Sequence, residues 1–363
     1  MTILFRAVLG FLVLKLAALL ANLAWFPVLR ARHPGSRDSG PPPAVSLLIP
    51  MRDEAATLAD HLPAMLGQSG VSEVIVLDDE SGDCSAALAG SMLAGSATAR
   101  LVAGTPPPPG WVGKNWACAQ LAAEASGELL IFCDADVLLA PHAVEAVVEA
   151  MAEQQADVFS VFPRQLTGSL GEALLTPLIE DVLLCFLPFG LLSVDVPAAA
   201  TANGSLLALN RRGLAELAGF AAVRSEIVED VAIARLIRRA GLRLGLALGG
   251  DLVQTRMYAG YREAVTGLGR GLLSVAGGSR LRLMAATGWH LAVYTLPPFA
   301  AIGRRRWLLP LALGLTERLL VALKCHPGAA WQAILTPLCP LAFVPVAGQA
   351  IRPRQQWKGR SYP

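Results

Sequence analysis

Charge is scarce in this 363-residue chain, because only 16% of its residues are Asp, Glu, Lys or Arg, whereas a soluble globular domain has about 25%. Hydrophobic residues make up 54%, which excludes a disordered chain, and the mean hydropathy of +0.51 disfavours a purely soluble one. Acidic residues are nearly missing from residues 264–363, which hold 12 Lys and Arg against one Asp or Glu. Residues 1–263 hold 18 against 27, so two physically different regions share the chain.

Paired cysteines and metal-binding Cys/His spacings are also missing. The six cysteines form no CxxC pair, which disfavours a zinc site and a disulfide framework and favours reduced, mostly buried thiols on the cytoplasmic side. A nucleic-acid partner is excluded as well, because such a protein concentrates Lys and Arg on its folded domain. The acidic body and basic, apolar tail suit an anionic membrane surface better.

One long hydrophobic run stands at the start of the chain. Residues 7–29 can cross a bilayer as a helix, with Lys15 as the one charge in the span. A signal peptide is the rival interpretation, but the run is long for one and no small-residue cleavage site follows. Basic residues at 30, 32 and 37 predict that the following domain faces the cytoplasm. We therefore predict a transmembrane anchor over residues 1–32 and a linker rich in Pro and Gly over residues 33–43.

From residue 44 to residue 263, short apolar runs alternate with helical segments. This pattern predicts an α/β domain with a Rossmann-like, mostly parallel sheet flanked by helices. The predicted strands are residues 45–49, 74–77, 129–133, 158–162 and 206–209. The predicted helices are residues 54–66, 83–94, 115–125, 141–153, 211–218 and 228–240.

Residues 264–363 predict a membrane-associated C-terminal region with two or three hydrophobic helices, hence a multi-pass protein of the cytoplasmic membrane. The apolar stretches are residues 283–303, 307–323 and 325–351. Three full crossings would leave one basic segment outside, against the positive-inside rule. One stretch is therefore expected to be re-entrant or interfacial, and Pro297 with Pro298 favours the first.

Carboxylates follow two of the predicted strands at the point where each strand ends. Asp78 and Asp79 end the run VIVLDD, and Asp134 and Asp136 end the run LLIFCDAD. Ligands of open α/β sheets bind outside the carboxyl ends of the strands, and carboxylate oxygens suit Mg²⁺ or Mn²⁺, which would hold a diphosphate. Acidic loops without function are the alternative for either pair alone, but two pairs in one domain favour a site.

Lys114 lies in the irregular loop PPPPGWVGKNW, directly before a predicted helix. The loop could present an ammonium and backbone N–H groups to an anion, or it could be a surface loop held by Trp111. A Walker A loop is excluded because Pro108 stands where its first glycine belongs and Asn115 replaces its Ser or Thr.

Glu229 and Asp230 open the predicted helix at residues 228–240. Carboxylates in a first turn can simply complement the helix dipole, but a carboxylate that faces a cleft can also be a general base, and we assign this role to Asp230. Arg256 could place its guanidinium on a departing diphosphate.

Taken together, the motifs of residues 44–258 resemble the family 2 inverting glycosyltransferases with a GT-A fold. The likeness rests on VSLLIPMRDEA, VIVLDDES, GWVGK, LLIFCDAD, ANGSLLALNRRGL and VED, in that order along the chain. The element GWVGKNWA, the apolar tail and the closing WKGRSY are most similar to the hopene-associated and carotenoid (diaponeurosporenoate-type) membrane glycosyltransferases.

The resemblance implies a nucleoside pocket lined by Pro50, Arg52, Glu54 and Asp79, in which Asp79 receives the uracil N–H. It also implies that Asp134 lies near the ribose. The donor would accordingly be a UDP-sugar bound at the ends of the first strands.

The same resemblance implies that Asp136 binds the divalent cation bridging the phosphates and that Asp230 is the base. Asn203 and Gly204 would border the acceptor. The sequence thus predicts an inverting, metal-dependent enzyme that moves one sugar from a UDP-sugar, with UDP-glucose as the expected donor, to a membrane lipid of carotenoid or hopanoid type.

The lipid acceptor is inferred from the uncharged run at residues 182–194, which could lie in the membrane interface or could be a buried core helix. Two alternatives stay open. A polyprenyl-phosphate glycosyltransferase would need basic residues for the lipid phosphate, and Arg211 and Arg212 could serve. A membrane protein that binds UDP-sugar without catalysis would have Asp230 facing away from the cleft.

Overall fold

The structure is a computed structural model, and its contacts divide the chain into two compact units. The sheet unit comprises residues 27–164 and 194–255, and the helical unit comprises residues 1–26, 165–193 and 256–363. The residues that the structure describes are 2–31, 42–187, 189–190, 200–352, 355–357 and 360–362. Most of the predicted linker at residues 33–43 and part of the run at residues 182–194 lie outside these ranges.

The five strands predicted from the sequence are present, and further short strands join them. The strands are β1 (Val45–Met51), β2 (Glu73–Asp78), β3 (Ala99–Ala103), β4 (Leu129–Cys133), β5 (Val137–Leu139), β6 (Val158–Phe162), β7 (Arg164–Gln165), β8 (Leu206–Asn210), β9 (Leu244–Leu248), β10 (Val253–Thr255), β11 (Gln355–Trp357) and β12 (Arg360–Tyr362).

The six helices predicted between residues 54 and 240 are likewise present, each with ends within three residues of those expected. The helices are α1 (Thr2–Trp25), α2 (Ala55–Leu66), α3 (Ser85–Leu93), α4 (Gly113–Glu124), α5 (Ala143–Glu153), α6 (Leu170–Leu175), α7 (Leu178–Phe186), α8 (Arg211–Glu216), α9 (Glu229–Arg239), α10 (Tyr261–Val275), α11 (Arg280–His290), α12 (Leu296–Gly303), α13 (Leu308–Cys325) and α14 (Cys339–Ala350).

The sheet unit contains a seven-stranded sheet in the order β3-β2-β1-β4-β8-β6-β9. Strand β8 runs antiparallel to both of its neighbours, while the other adjacent pairs are parallel. The predicted α/β class is therefore confirmed, with a sheet that is mixed. Apolar side chains of β1, β4 and β6 are almost fully buried, as expected for strands covered on both faces.

This topology concentrates loops at one edge of the sheet. The carboxyl ends of β1, β2 and β4 lie there because these strands are parallel neighbours. The antiparallel β8 brings its first residue to the same edge, since Leu206 pairs with Cys133. Residues 203–205 therefore meet the loop that follows β4, and the Asp134 N–H donates to the Ser205 carbonyl at 2.9 Å.

The helical unit assembles the N-terminal helix with the C-terminal ones, and α1 packs against α7 and α13. Helix α1 is the one described helix that is long and apolar enough by itself to cross a membrane. The 3-10 helix Pro327–Leu335 and α14 meet the same criteria only as a pair, bent by 85°. Among the described helices this bent pair is the one C-terminal candidate for a membrane span, and both the number of C-terminal crossings and the re-entrant first stretch stay predictions.

Candidate active site

The loops after β1 and β2 meet at the sheet edge. The Asp79 N–H donates to the Met51 carbonyl at 2.8 Å, and the Arg52 guanidinium donates to the Asp79 carbonyl. Asp53 and Glu80 both adopt left-handed backbone conformations, with φ of 49° and 56°, a strain that clusters at binding sites. Asp79 itself is buried, so its carboxylate lies below the surface of the edge.

Three further residues of this region, Pro50, Glu54 and Asp78, were predicted to bind the nucleotide-sugar. Pro50 lies within β1 opposite Leu77. Asp78 Oδ1 accepts the Ser81 N–H at 3.3 Å, and the Glu54 carboxylate accepts the Thr57 hydroxyl at 3.1 Å. These contacts shape the loops, and a nucleoside-binding role for Pro50, Glu54 and Asp78 stays a prediction.

A second cluster forms around Lys114, at the start of α4. Its ammonium lies 2.8 Å from Asp134 Oδ2 and 3.3 Å from Glu229 Oε1, so it bridges the end of β4 and the start of α9. The two carboxylates raise the pKa of Lys114 well above its usual value despite the opposing effect of burial. Lys114 is therefore a fixed positive charge at the sheet edge, positioned by carboxylates from two separate elements.

Residues 203–205 connect this cluster to Asp230. The Gly204 N–H donates to Asp230 Oδ2 at 3.0 Å, and Asn203 Oδ1 accepts the Ser205 N–H at 2.9 Å. A Cβ atom on Gly204 would lie 2.9 Å from Glu229 Oε1 and 3.4 Å from Lys114 Nζ. The absence of a side chain at this position is what allows the loop to approach both charged groups.

The Asp230 carboxylate has an unusual proton affinity. Burial and then the neighbouring charge of Glu229 raise its pKa to about 7, against the lowering effect of the Val231 N–H, the Lys114 ammonium and the Gly204 N–H. A carboxylate with a pKa near neutral pH can accept a proton and remain partly ionised, which is the property that a general base requires.

Two buried thiols show that the carboxylates share one neighbourhood. Burial raises the pKa of Cys118, Lys114 lowers it, and the charges of Asp134, Glu229 and Asp79 raise it again. Burial also raises the pKa of Cys133, as do the charges of Asp134 and Asp136. Carboxylates from β2, β4 and α9 therefore act on the same part of the interior, although long stretches of sequence separate them.

Asn115 is a site residue that the sequence did not single out as functional. Its buried amide donates to the carbonyls of Val223 and Glu226 at 2.7 and 3.0 Å, and the Val112 N–H donates to the Arg224 carbonyl at 2.7 Å. These bonds fix the start of α4 to the segment that leads into α9. The only signal in the sequence was an amide side chain directly after Gly113 and Lys114. Its position does not reveal which carbonyl groups it will bond.

Arg256 belongs to the helical unit, whereas Lys114, Asp134 and Asp230 belong to the sheet unit. Its guanidinium makes a bidentate pair with Glu172, at 3.0 and 3.1 Å. Hydrogen bonds from Arg256, Gly168 and Ser169 lower the pKa of Glu172 to about 2 in spite of its burial. The structure thus shows Arg256 held by Glu172, and its contact with a diphosphate stays a prediction.

Asp134 and Asp136 are the predicted metal ligands. Both follow β4 and carry the hard carboxylate oxygens that Mg²⁺ or Mn²⁺ prefers, and Asp134 Oδ2 also pairs with the Lys114 ammonium at 2.8 Å. Within the described part of the chain, the one group of three or more His, Cys, Asp or Glu side chains whose ligand atoms all lie within 4.8 Å of one another is elsewhere, at Asp181, Cys185 and Glu317. The ammonium of Lys15 already pairs with both of those carboxylates, at 3.0 and 2.7 Å.

Comparison with protein families and curated proteins gives consistent matches. The model of Glycosyl transferase family 21 matches residues 10–258. The 4,4'-diaponeurosporenoate glycosyltransferases of Staphylococcus haemolyticus and Staphylococcus aureus are 29% and 27% identical over 229 and 246 residues. The alignments cover 62% and 67% of this chain, and the chain spans 60% and 64% of the length of these relatives.

Comparison with solved structures gives a match over nearly the whole chain. The mannosyltransferase PcManGT from Pyrobaculum calidifontis, solved in complex with GDP-Man and Mn²⁺, aligns over 96% of this chain and 99% of its own, with a TM-score of 0.53 and 18% identity. The TM-score shows that the two proteins share a fold, and at 18% identity the match shows the fold alone.

Proposed function

The chain belongs to glycosyl transferase family 21, as the match over residues 10–258 shows, and we propose that it transfers one sugar from a UDP-sugar to a membrane lipid of carotenoid or hopanoid type. The predicted resemblance to glycosyltransferases is confirmed by this match. The expected donor is UDP-glucose, and the expected acceptor follows from the names of the curated relatives together with the apolar helix α1.

The observation that carries the mechanism is the position of Asp230 beside Lys114, with a pKa raised to about 7. In the proposed reaction an acceptor oxygen attacks the anomeric carbon from the face opposite the diphosphate. The new C–O bond forms as the bond to the phosphate oxygen breaks, with the electron pair leaving on UDP, so the anomeric configuration inverts. Asp230 takes the acceptor proton, and Lys114 stabilises the negative charge that develops on the leaving group.

A divalent cation held by Asp134 and Asp136 would supply further positive charge to the diphosphate. Asp79 and Arg52 would bind the nucleoside at the ends of β1 and β2. Asn203 and Gly204 would border the acceptor, because their segment lies next to Asp230. In this proposal Asp230 is the base, Asp134 and Asp136 hold the cation, and Asp79 binds the nucleoside.

The positions of Arg211 and Arg212 do not support the alternative in which a polyprenyl phosphate is the acceptor. Arg211 donates to the carbonyl of Gly127 at 2.5 Å and to that of Ala125 at 3.2 Å, beside the amino end of β4. Arg212 lies 3.5 Å from Asp157, which directly precedes β6. Both guanidinium groups therefore lie at the sheet edge opposite Asp134, and neither is placed to bind a lipid phosphate at the candidate site.

The test uses membranes that contain the full chain, supplied in parallel with radiolabelled UDP-glucose and GDP-mannose. We expect a labelled lipid with UDP-glucose, inverted anomeric stereochemistry by NMR, and loss of labelling with EDTA that Mn²⁺ or Mg²⁺ restores. Asp230→Asn should lower the rate at least about 100-fold, whereas Asp60→Asn, on the exposed face of α2, should not change it. Near-full activity of Asp230→Asn would overturn the mechanism.

A further inference from the structure

The turn that carries the two predicted metal ligands is bonded to strand β10. Residues 134–136 lie between β4 and β5, and β5 pairs antiparallel with β10 so that Val137 stands opposite Thr255. Thr255 is buried, and its hydroxyl donates to the Asp136 carbonyl at 3.1 Å. The last residue of β10 therefore bonds to the residue directly before β5, one position beyond the ladder.

A second side chain reaches the same turn from α2. His61 Nδ1 lies 3.3 Å from the Ala135 carbonyl, and it must carry the proton because a carbonyl oxygen can only accept. Gln68, two turns later on α2, donates to the Ala140 carbonyl at 3.0 Å and accepts the Val144 N–H at 3.2 Å. Helix α2 thus holds the chain on both sides of β5.

The side chains of the turn alternate in burial. Ala135 is buried in the core, whereas Asp134 and Asp136 on either side of it are partly exposed. Thr255 and His61 bond to main-chain carbonyls of the turn, so neither bond occupies a carboxylate oxygen. Bonds that hold a metal ligand from behind fix its direction, and removing such support typically costs about 10- to 100-fold in metal affinity or activity.

We infer that Thr255 and His61 are positioning residues, which hold this turn so that the carboxylates of Asp134 and Asp136 bind the divalent cation together. The assignment rests on the proposed function, in which these two carboxylates hold the cation at the diphosphate. The ladder between β5 and β10 begins at Val137, so the two side-chain bonds extend its support into the turn.

A role for Thr255 in packing alone makes a different prediction. Valine has nearly the same shape and volume as threonine and differs by the hydroxyl group, so it would fill the same space in the core. If packing were the whole role, Thr255→Val would leave the turn as it is. The hydroxyl group is required only if its bond to the Asp136 carbonyl matters.

The experiment measures the Mn²⁺ affinity of the purified full chain in detergent by EPR titration in the presence of saturating UDP. Thr255→Val should weaken Mn²⁺ binding at least about tenfold, whereas Thr255→Ser, which keeps the hydroxyl, should stay within about twofold of the wild type. Gln254→Ala is the matched control, because the Gln254 side chain donates to the Asp251 carbonyl rather than to the turn. His61→Phe should weaken Mn²⁺ binding at least about threefold, since its bond is longer, and the neighbouring Asp60→Asn should leave it unchanged.

Two further measurements separate positioning from damage to the fold. The midpoint of thermal unfolding and the UDP affinity in EDTA should equal those of the wild type in every variant. At saturating Mn²⁺ the transfer rate of Thr255→Val should return to within about threefold of the wild-type rate, because Asp230 and Lys114 are unchanged. A rate that stays low at saturating Mn²⁺ overturns the assignment, because the damage then reaches groups other than the cation ligands.

The Mn²⁺ affinities decide the remaining outcomes. Weaker binding in Thr255→Val and His61→Phe, with the other variants unchanged, supports the assignment. Equal affinity of Thr255→Val and the wild type, the same loss in Thr255→Ser, or a wild type that binds no Mn²⁺ overturns it. If Thr255→Val does not fold, the comparison of His61→Phe with Asp60→Asn decides in its place. The expected affinities in a wild-type protein that transfers no sugar support the positioning role and overturn the proposed function.

Discussion

At the residue scale, the proton affinity of Asp230 gives the clearest expectation. Because its pKa is about 7 and a base must be ionised, kcat/KM should rise as the pH increases through about 7. Glu229→Gln removes the neighbouring negative charge that raises this pKa, so the acidic limb of the profile should move to lower pH by about one unit. Glu226→Gln, on the exposed approach to α9, should leave the limb in place. A shift of the limb to higher pH in Glu229→Gln would contradict the assignment.

Gly204 offers a second test at single-residue resolution. In Gly204→Ala the new methyl group would press on the Glu229 carboxylate at 2.9 Å, so this carboxylate must shift from its present position 3.3 Å from the Lys114 ammonium. We expect kcat/KM to fall about 100-fold, the usual result of misplacing a catalytic group by an ångström. Gly90→Ala is the matched control, because its Cβ would meet only Leu101 at 3.8 Å and alanine favours the helix there. Equal kinetics of the two variants would show that the loop at Gly204 is not tightly packed.

At the scale of elements, the bonds of Asn115 join α4 to the segment before α9. Asn115→Ala removes both bonds, but the Val223 carbonyl keeps the Glu226 N–H as a donor at 3.0 Å, so the loss should be about 0.5–1.5 kcal/mol of unfolding free energy. We also expect faster hydrogen exchange in residues 221–228 and a lower kcat, because Lys114 and Glu229 lose their common support. Gln120→Ala, farther along α4, removes the surface bonds to Thr105 and serves as the control. If both variants lowered kcat equally, the effect would belong to α4 as a whole.

Helices and strands could be predicted from the sequence where the periodic spacing of apolar residues extended over enough positions. The buried runs at β1, β2, β4 and β6 and the amphipathic α9 were predicted, because their apolar spacing fixes strand or helix without knowledge of the partner. The edge strand β3 was missed because its sequence ARLVA is short and half-buried. The direction of β8 was not accessible either, since LLAL has the same pattern in a parallel and in an antiparallel pair.

The residues of the candidate site were more predictable than their partners. Strand ends indicated Asp79, Asp134 and Asp136, and a helix start indicated Asp230. No local pattern could show that Lys114 would pair with Glu229, 115 residues later, or that Arg256 would pair with Glu172. The Lys114–Glu229 pair depends on which loops the order of the strands brings together. That order, β4-β8-β6, includes β8, whose direction could not be predicted from the sequence.

At the scale of the whole molecule, the chain passes between its two units more than once. The helical unit draws on three separate segments, residues 1–26, 165–193 and 256–363. Lys15 comes from the first segment, Asp181 from the second and Glu317 from the third, and the lysine ammonium contacts both carboxylates. One buried ion cluster therefore ties together all three parts of the unit. It also explains how a lysine is accommodated in the apolar helix α1, where a charge requires a partner.

This arrangement predicts an asymmetry between breaking the cluster and replacing it. Lys15→Met leaves two buried carboxylates without their cation and should lower the unfolding free energy by about 3–5 kcal/mol, with faster hydrogen exchange in α7 and α13. Arg6→Met, at an exposed position of α1, should have little effect. Adding Asp181→Leu, Glu317→Leu and Tyr294→Phe to Lys15→Met removes the three hydrogen-bond partners of the lysine and should restore part of the loss, because the two unpaired carboxylates are gone while the buried Arg318 guanidinium near residue 181 keeps its charge. If the fourfold variant were as unstable as Lys15→Met, the cluster would contribute through its shape and packing, and the charge pairing inferred to join the three segments would be wrong.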